Sequence, residues 1–303
     1  MIKPVNHAFS RFLCSYLCSF SQIMLQRHPV TGFIFVIGLA VGSPVVLLGA
    51  TIAIFSSLLF TNVAQYDSDK INSGFYGFNA ALVGMAIFSF LPVSVFTLML
   101  VIYMGAMSAF IMHLVTHANL LKFVNLPAFT APFIISTWLT LYLVEVLQMQ
   151  TITNTSAILP NFVTSYNDFT VVMRGIGQIM FQDYWLCGLV FIVGLFIHSY
   201  KAALWGIMGS LAGLIIARYL NLSAESIHIG LYGFNASLTA IALAERYPNC
   251  SLATVFGILI SVLLTQAFEQ FSLVGLTAPF VLSSWLIIVF IRVNSKKALC
   301  ERL

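Results

Sequence analysis

The stretch Gly-Phe-Tyr-Gly-Phe-Asn-Ala at 74–80 returns as Gly-Leu-Tyr-Gly-Phe-Asn-Ala at 230–236, and this repetition decides the fold. Gln-Ile-Met at 22–24 returns in the same way at 178–180. The spacing is constant, since 230 − 74 and 178 − 22 both give 156 residues. The second half of the chain therefore repeats the first.

A third block tells where the two copies differ in length. Thr-Ala-Pro-Phe at 130–133 returns at 277–280, a spacing of 147 residues. The second copy is thus nine residues shorter (156 − 147), and the difference falls between the last two blocks. A duplicated, very apolar chain is typical of membrane transporters whose substrate path lies where the two repeats meet.

Composition predicts a membrane protein. Of the 303 residues, 60% are hydrophobic and only 7% are charged, whereas about 25% of the residues in a soluble protein are charged. No Asp, Glu, Lys or Arg occurs between Arg27 and Asp67, or between Lys70 and Lys122. Such runs exceed the roughly 20 apolar residues that a helix needs to cross a bilayer. We expect an all-α, polytopic protein of the lipid bilayer without a nucleic-acid partner.

The order of apolar and polar segments predicts two repeats joined by a linker. We place the first repeat at 15–147, the linker at 148–172, the second repeat at 173–293 and a cytoplasmic tail at 294–303. The linker is the most polar segment of the chain, rich in Gln, Thr and Asn. The basic residues Lys3 and Arg11, and those near the C-terminus, predict that both termini are cytoplasmic by the positive-inside rule: Arg292, Lys296, Lys297 and Arg302.

The number of apolar stretches predicts the relative orientation of the repeats. The second half offers about five of them: 184–200, 202–217, 226–244, 247–268 and 270–291. With an odd number of crossings the second repeat enters the membrane from the opposite side. The predicted fold is therefore two inverted repeats of about five transmembrane helices each, with the pore at the repeat interface. Within the long apolar stretches we expect breaks at Gly42-Ser43-Pro44 and near Pro92.

Two pairs of glutamines occupy equivalent places, Gln22 with Gln178 and Gln26 with Gln182. A buried amide in a membrane is costly unless it is hydrogen-bonded. Gln22 and Gln178 could bracket a small polar solute and offer their carbonyl oxygens to its N–H groups. They could equally join neighbouring helices by hydrogen bonds, and the residue pattern leaves both interpretations open.

The Thr-Ala-Pro-Phe blocks are the second candidate. Pro132 and Pro279 cannot donate to a helix ladder, so carbonyls three or four residues earlier are predicted to be released. Together with the hydroxyls of Thr130 and Thr277, these carbonyls would form a row of acceptors for a neutral hydrogen-bond donor. The alternative is an ordinary proline kink in a transmembrane helix. Repetition of the whole tetrapeptide favours the acceptor row.

Aromatic residues in the Tyr-Gly-Phe-Asn-Ala blocks are the third candidate. Phe78 and Leu82 are four residues apart, as are Phe234 and Leu238, which puts each pair on one face of a helix. Such rings could flatten a pore into a slot that admits a planar solute. Since the chain has 27 Phe, packing or lipid contact is the alternative role for any one of them.

The ionisable residues show which kinds of catalytic or metal-binding site the sequence lacks. Glu145 and Glu269 are the acids deepest in apolar segments, and they are not repeat equivalents. His113 and His117 share one helical face, without a matching pair in the second half. The sequence has no paired carboxylates, nucleophile–base set, phosphate loop or metal motif. We therefore expect no enzyme activity, no cofactor and no metal.

These motifs resemble those of a known family. Residues 126–133, Leu-Pro-Ala-Phe-Thr-Ala-Pro-Phe, are similar to the signature Leu-Pro-x-x-Thr-x-Pro-Phe of the urea transporter family, shared by bacteria and vertebrates. The second copy, 273–280, keeps all of it except the first Pro, which is Val274 here. The Gly-Phe-Tyr-Gly-Phe-Asn-Ala and Gln-Ile-Met-Leu-Gln blocks also resemble family motifs. The resemblance covers about 15–293, and the length resembles that of a bacterial single-module member.

The resemblance implies a ten-span inverted repeat with one re-entrant half-helix per repeat. It also implies a homotrimer in the bacterial inner membrane, with urea as the solute that passes down its gradient through a pore in each protomer. The residues that would contact urea at the two outer sites and pore mouths are Gln22, Leu25, Gln178 and Phe181. Those that would line the slot are Phe78, Leu82, Phe234 and Leu238, and those that would lie at its middle are Thr130, Pro132, Thr277 and Pro279.

One departure from the family pattern bears on affinity. Some relatives carry an acid or a Phe where this chain has Gln178 and Leu25, so we expect the two mouths to differ in affinity. Two other functions stay open from the residues alone. One is a channel for ammonia or a short neutral amide, and an ammonia channel should show a pair of pore histidines on facing repeats. An ion-coupled secondary transporter should show an acid at the membrane midplane.

Overall fold

The computed structural model describes residues 3–117, 126–148 and 167–294, and it is helical throughout its regular parts. The first group of helices is α1 (Lys3–Gln22), α2 (Pro29–Gly42), α3 (Pro44–Val63), α4 (Ser68–Asn72), α5 (Gly77–Phe90), α6 (Val95–His117) and α7 (Ala131–Val146). The second group is α8 (Asp168–Gln178), α9 (Trp185–His198), α10 (Tyr200–Tyr219), α11 (Ala224–His228), α12 (Leu231–Arg246), α13 (Ser251–Gln270) and α14 (Ala278–Asn294).

The two groups follow the same plan. Helices α1 and α8 end at Gln22 and Gln178, and the starts of α2 to α4 and of α6 recur 156 residues later in α9 to α11 and α13. The short α4 has its counterpart in the equally short α11. Helices α7 and α14 begin at Ala131 and Ala278, which are 147 residues apart. The nine-residue difference therefore falls between the start of α6 and the start of α7, within the interval expected from the sequence.

The described residues form two compact units. One contains 3–117 and 132–148, and the other contains 126–131 and 167–294. The segment 126–131, here called the crossover segment, thus belongs with the second unit although its last residue, Ala131, begins α7. Helix α8 begins at Asp168, within the predicted linker 148–172, most of which lies outside the described residues, as does the predicted tail beyond 294.

Length and composition confirm an all-α polytopic membrane protein. Helices α3, α6, α10 and α13 are each long and apolar enough to cross a bilayer. Helices α8 and α9 meet at a bend of 75° and count as a fifth span if they are taken together. The shorter apolar helices α2, α5, α7 and α14 have 14 to 17 residues. Five spans per repeat, their inversion and the re-entrant half-helices stay predictions.

Large apolar side chains on the long helices face outward. Leu59 on α3 is 69% exposed, Met99 on α6 is 63% exposed and Phe256 on α13 is 56% exposed. A protein in water rarely exposes contiguous apolar surface of this kind. These helix faces therefore fit contact with lipid.

The expected helix breaks are present. Helix α2 ends at Gly42, and Ser43 caps α3 through its hydroxyl, which accepts from the N–H of Val46. Pro44 occupies the first position of α3, where a helix tolerates proline because that N–H has no intrahelical partner. Pro92 lies between α5 and α6. The predictions of breaks at both places are confirmed.

Candidate functional site

The hydroxyls of Thr130 and Thr277 are hydrogen-bonded to each other. Their oxygen atoms are 2.7 Å apart, and both side chains are buried in the second unit. The Phe129 ring lies 5.0 Å from the Phe280 ring between centroids, which anchors the crossover segment against α14. Each hydroxyl carries one hydrogen and two lone pairs. After they bond to each other, the two hydroxyls can still accept hydrogen bonds. This capacity is what the predicted row of acceptors requires.

Two asparagines link the repeated motifs to each other. Asn79 Oδ1 accepts from the backbone N–H of Phe133 at 3.1 Å, and Asn235 Oδ1 accepts from that of Phe280 at 3.3 Å. These N–H groups lie in the first turns of α7 and α14, where a helix leaves them without an intrahelical partner. Each asparagine therefore caps a helix from a distant part of the chain. Neither asparagine was predicted from the sequence to have a role. Their repetition at 79 and 235 is the signal that could have identified them.

The residue before each threonine has an unusual backbone. Phe129 has φ 46° and Leu276 has φ 49°, in the left-handed region that non-glycine residues seldom adopt. Asn235 also donates from Nδ2 to the Leu276 carbonyl at 3.2 Å. Left-handed residues of this kind cost about 1 kcal/mol or more and persist where surrounding contacts hold them. The contacts of Asn235 lie on both sides of Thr277 and so hold it in place.

Pro132 and Pro279 begin helices instead of bending them. Each is the second residue of its helix, α7 or α14, where proline is tolerated. The carbonyls three and four residues earlier lie in non-helical segments, and that of Ala128 accepts from the N–H of Ala131 at 3.1 Å. The expectation that proline frees carbonyls inside a helix is therefore wrong, because the carbonyls three and four residues earlier lie before the helix begins.

The paired glutamines end equivalent helices and are both half-buried. Gln22 Nε2 donates to the carbonyl of Ser73 at 3.2 Å, and Gln178 Nε2 donates to Asp183 Oδ1 at 2.7 Å. A peptide carbonyl and an ionised carboxylate only accept hydrogen bonds, so each partner selects the amide nitrogen. The amide oxygen Oε1 is therefore directed away from that partner in both glutamines. This orientation suits acceptance from the N–H groups of a solute.

The turn after each of these glutamines is the same in both units. Leu25 has φ 64° and Phe181 has φ 59°. The turns are closed by backbone bonds from Gln26 to Ser21 and from Gln182 to Gly177. This is the Schellman arrangement, whose left-handed position is usually glycine. Leucine or phenylalanine there costs about 1–2 kcal/mol, which supports a role for these half-buried side chains beyond packing.

The second glutamine pair has a local structural role. Gln26 and Gln182 are buried, with 1% and 2% exposure. Their Nε2 atoms donate to the carbonyls of Met24 and Met180, each at 3.1 Å. These bonds satisfy the buried amides within the turns that follow α1 and α8.

Two glycines fix the aromatic blocks against the glutamine helices. Gly74 has φ 77° and Gly230 has φ 82°. A Cβ at Gly74 would lie 2.4 Å from the carbonyl carbon of Cys18, and one at Gly230 would lie 2.4 Å from the nitrogen of Gly175. The Tyr-Gly-Phe-Asn-Ala blocks therefore lie directly on the backbones of α1 and α8, about one turn before each glutamine.

The aromatic candidates lie on α5 and α12. Phe78, Leu82 and Leu238 are buried, and Phe234 is half-buried. Each Phe–Leu pair lies within one helix at a spacing of four, so its members share a face. That these four side chains line a slot stays a prediction.

The acids occupy two different environments. Glu145 is exposed near the end of α7, as expected for a residue close to a membrane face. The carboxylate of Glu269 accepts from the hydroxyls of Ser226 and Tyr232, and the Tyr232 hydroxyl is also 2.8 Å from Gln266 Oε1. The sequence analysis missed this cluster because only its tyrosine is repeated, at Tyr76.

The histidine pair lies within the first unit. The rings of His113 and His117 stack with centroids 3.9 Å apart, in agreement with their shared helical face. Among the side chains that the structure describes, no three or more His, Cys, Asp or Glu lie together in a way that could hold a metal ion.

Comparisons with known proteins identify the family of the chain. Residues 13–292 match the family model described as urea transporter. The chain is 27% identical to urea transporter 1 of Ovis aries, over 94% of this chain and 78% of that protein. It is 28% identical to urea transporter 1 of Mus musculus, over 88% of this chain and 71% of that protein. The chain therefore belongs to the urea transporter family.

Proposed function

We propose that this protein is a passive, channel-like transporter that carries urea across the membrane. Membership in the urea transporter family supports urea as the solute, as do relatives named urea transporter 1. A transporter family also argues against an enzyme, and we propose that the chain has no catalytic activity.

The observation that carries the proposal is that the repeated polar candidates are all uncharged. Gln22, Gln178, Thr130 and Thr277 offer amide or hydroxyl oxygens, and both amides turn their nitrogens to partners within the protein. Urea is small, planar and neutral, with four N–H bonds. An amide-like group that leaves water without a new hydrogen bond loses about 1–3 kcal/mol in proteins. Acceptors along the path would offset that loss, and the flat faces of Phe78 and Phe234 would favour a planar solute.

The same residues disfavour ions. A bare ion in an apolar passage without counter-charge loses its hydration and gains nothing comparable in return. The twelve candidates include no ionisable side chain: Gln22, Leu25, Phe78, Leu82, Thr130, Pro132, Gln178, Phe181, Phe234, Leu238, Thr277 and Pro279.

The alternatives receive less support. An ammonia channel calls for histidines in both repeats, whereas the positions equivalent to His113 and His117 are Glu269 and Leu273. An ion-coupled transporter calls for an acid that can bind the driving ion. The carboxylates of Glu269 and Asp183 are both already engaged, the first by Tyr232 and Ser226 and the second by Gln178.

Uptake of radiolabelled urea by proteoliposomes tests the proposal. Passive transport predicts uptake that stops at equal concentrations, whether or not a pH, sodium or voltage gradient is imposed. We expect nearly constant flux between about pH 5 and 8, the range in which histidines titrate. Ammonia, formamide and ions serve as comparison solutes. Accumulation above the external concentration under any gradient would reject the passive mechanism in favour of ion coupling.

Finer features of the assembly belong to the same proposal. We propose a homotrimer in the bacterial inner membrane, with a separate path through each protomer and both termini in the cytoplasm. The family resemblance supports the trimer. The basic residues around Arg292 and Lys296 support the orientation, because positive charge is favoured on the cytoplasmic side.

A further inference from the structure

Asp183 lies in the turn between α8 and α9 and has a direct bond to a candidate solute ligand. Its Oδ1 accepts from Gln178 Nε2 at 2.7 Å, and its side chain is half-buried. Bonds to an ionised group are shorter and roughly twice as strong as bonds between neutral groups. The corresponding bond from Gln22 to the Ser73 carbonyl is longer, at 3.2 Å.

A backbone turn closed by hydrogen bonds directly precedes Asp183. Bonds from Phe181 N–H to the Gln178 carbonyl, at 3.1 Å, and from Gln182 N–H to the Gly177 carbonyl, at 3.1 Å, close the turn that precedes it. Arg174 lies one turn before Gln178 on α8 and places a positive charge on the same helix. The Asp183 carboxylate therefore lies directly after a hydrogen-bonded turn and is bonded to the glutamine that ends α8.

The first unit has no such group at the equivalent place. The residue 156 positions before Asp183 is Arg27, which is exposed and opposite in charge. The residue equivalent to Arg174 is Cys18. The two glutamines therefore share their place in the repeat but differ in the chemistry of the group that holds the amide.

We propose that Asp183 is a positioning residue that sets the orientation and strength of the Gln178 amide as a solute ligand. Because a carboxylate accepts only, it selects the amide nitrogen and leaves Oε1 for the solute. Its charge also polarises the amide, which makes Oε1 a better acceptor than the same atom of Gln22. The Gln178 end then selects planar solutes that present N–H groups. This inference rests on the proposed function.

The test compares two solutes that differ in N–H groups. Urea presents N–H bonds, whereas N,N-dimethylformamide is planar and presents only a carbonyl. Radiolabelled urea flux into proteoliposomes gives the half-saturation concentration for urea and the inhibition constant for dimethylformamide. In Asp183→Leu the side-chain amide of Gln178 can rotate and present Nε2 instead of Oε1 to the solute. We expect urea to bind about tenfold more weakly, equal to about 1.4 kcal/mol, and dimethylformamide to inhibit as well as or better than before.

Three further variants isolate the role of Asp183. Asp183→Asn keeps an acceptor oxygen without the charge and should lose only about twofold to threefold in urea affinity. Arg27→Leu removes the charge at the equivalent place of the first unit and should match the wild type. In a Gln178→Ala background, Asp183→Leu should cause no additional loss, because Asp183 acts through Gln178.

Each outcome decides the matter. Equal losses for urea and dimethylformamide in Asp183→Leu would overturn the inference, because a general structural defect weakens both. Equal losses in Asp183→Asn and Asp183→Leu, or additive losses with Gln178→Ala, would overturn it too. In those cases wild-type urea flux leaves the proposed function standing. Wild-type protein that carries no urea at all would reject the proposed function and this inference with it.

Discussion

Gln22 and Gln178 end equivalent helices, yet one donates to a backbone carbonyl and the other to a carboxylate. A similar contrast holds for the tyrosines of the Tyr-Gly-Phe-Asn-Ala blocks. The Tyr232 hydroxyl bonds to Glu269, while the buried Tyr76 hydroxyl has no hydrogen-bond partner within the described residues. The two units thus share a backbone plan and differ in the side chains that surround it.

This comparison separates two kinds of constraint. Helix starts, left-handed turns and asparagine caps recur in both units, because the backbone allows few solutions once the motifs are repeated. The partners of Gln22 and Gln178 do not recur, since a glutamine amide is satisfied by any acceptor in reach. The shared features should then control folding, and the differing ones should control how each end treats a solute. The predictions below test that division.

The largest effect is expected where the backbone is shared. Gly74→Ala and Gly230→Ala should each destabilise the protein by about 3 kcal/mol, because both the positive φ and the 2.4 Å approach to a neighbouring backbone exclude a Cβ. The measurement is the thermal unfolding midpoint of the purified protein in detergent. Gly206→Ala is the matched control, since its Cβ would meet only side-chain atoms of Ile241, at 3.3 Å, and of Leu195, at 3.8 Å. A loss in one glycine variant without the other would contradict an equal role in the two units.

Sequence alone predicted the repeat, the helical class and the breaks at Gly42-Ser43-Pro44 and Pro92, because these follow from spacing and from the missing N–H of proline. It also pointed to both threonines as related residues. It did not predict that they touch, because contact between positions 147 residues apart depends on how the crossover segment folds.

The asparagine caps and the acids that bond to Gln178 and Tyr232 could not be predicted from the sequence, for two different reasons. Asn79 and Asn235 were visible as repeated residues, but their bonds to Phe133 and Phe280 join separate segments. Asp183 and Glu269 have no acidic counterparts in the first half, so a search for symmetric polar pairs passes over them. Repetition finds what the units share and misses what distinguishes them.

The next effect concerns solute affinity at the two glutamines. Gln22→Ala and Gln178→Ala should each weaken urea binding by about 1–3 kcal/mol, the cost of leaving a polar group unpaired. The loss should be larger for Gln178, since the bond to the Asp183 carboxylate polarises its amide and makes Oε1 the better acceptor. Urea concentration dependence of proteoliposome flux measures both. Gln270→Ala, at an exposed helix end, is the control and should be neutral. Unchanged binding in both variants with normal folding would remove the glutamines from the site.

An effect of similar size, on stability instead of solute affinity, should distinguish the two tyrosines. Tyr232→Phe leaves Glu269 without one of its donors and should cost about 1–3 kcal/mol in stability. Tyr76→Phe removes a buried hydroxyl that has no hydrogen-bond partner among the described residues, so it should be neutral or slightly stabilising. Unfolding midpoints of the two variants, measured side by side, give the comparison. Equal destabilisation by both would show that Tyr76 has a partner of similar strength.

The smallest effect should come from the threonines, the equivalent residues that contact each other. Val keeps the shape of Thr but has no hydroxyl, so Thr130→Val and Thr277→Val each leave one buried hydroxyl without its partner. The double variant removes both and should be less unstable than the sum of the two losses, with a coupling of about 1 kcal/mol. Unfolding midpoints of the wild type, the two single variants and the double variant give this coupling.

Urea flux through the threonine variants is the second measurement. It should fall in each single variant, because an acceptor is lost, and should not recover in the double variant. Additive stability losses would contradict the hydrogen bond, and wild-type flux in all three variants would show that transport does not need these hydroxyls.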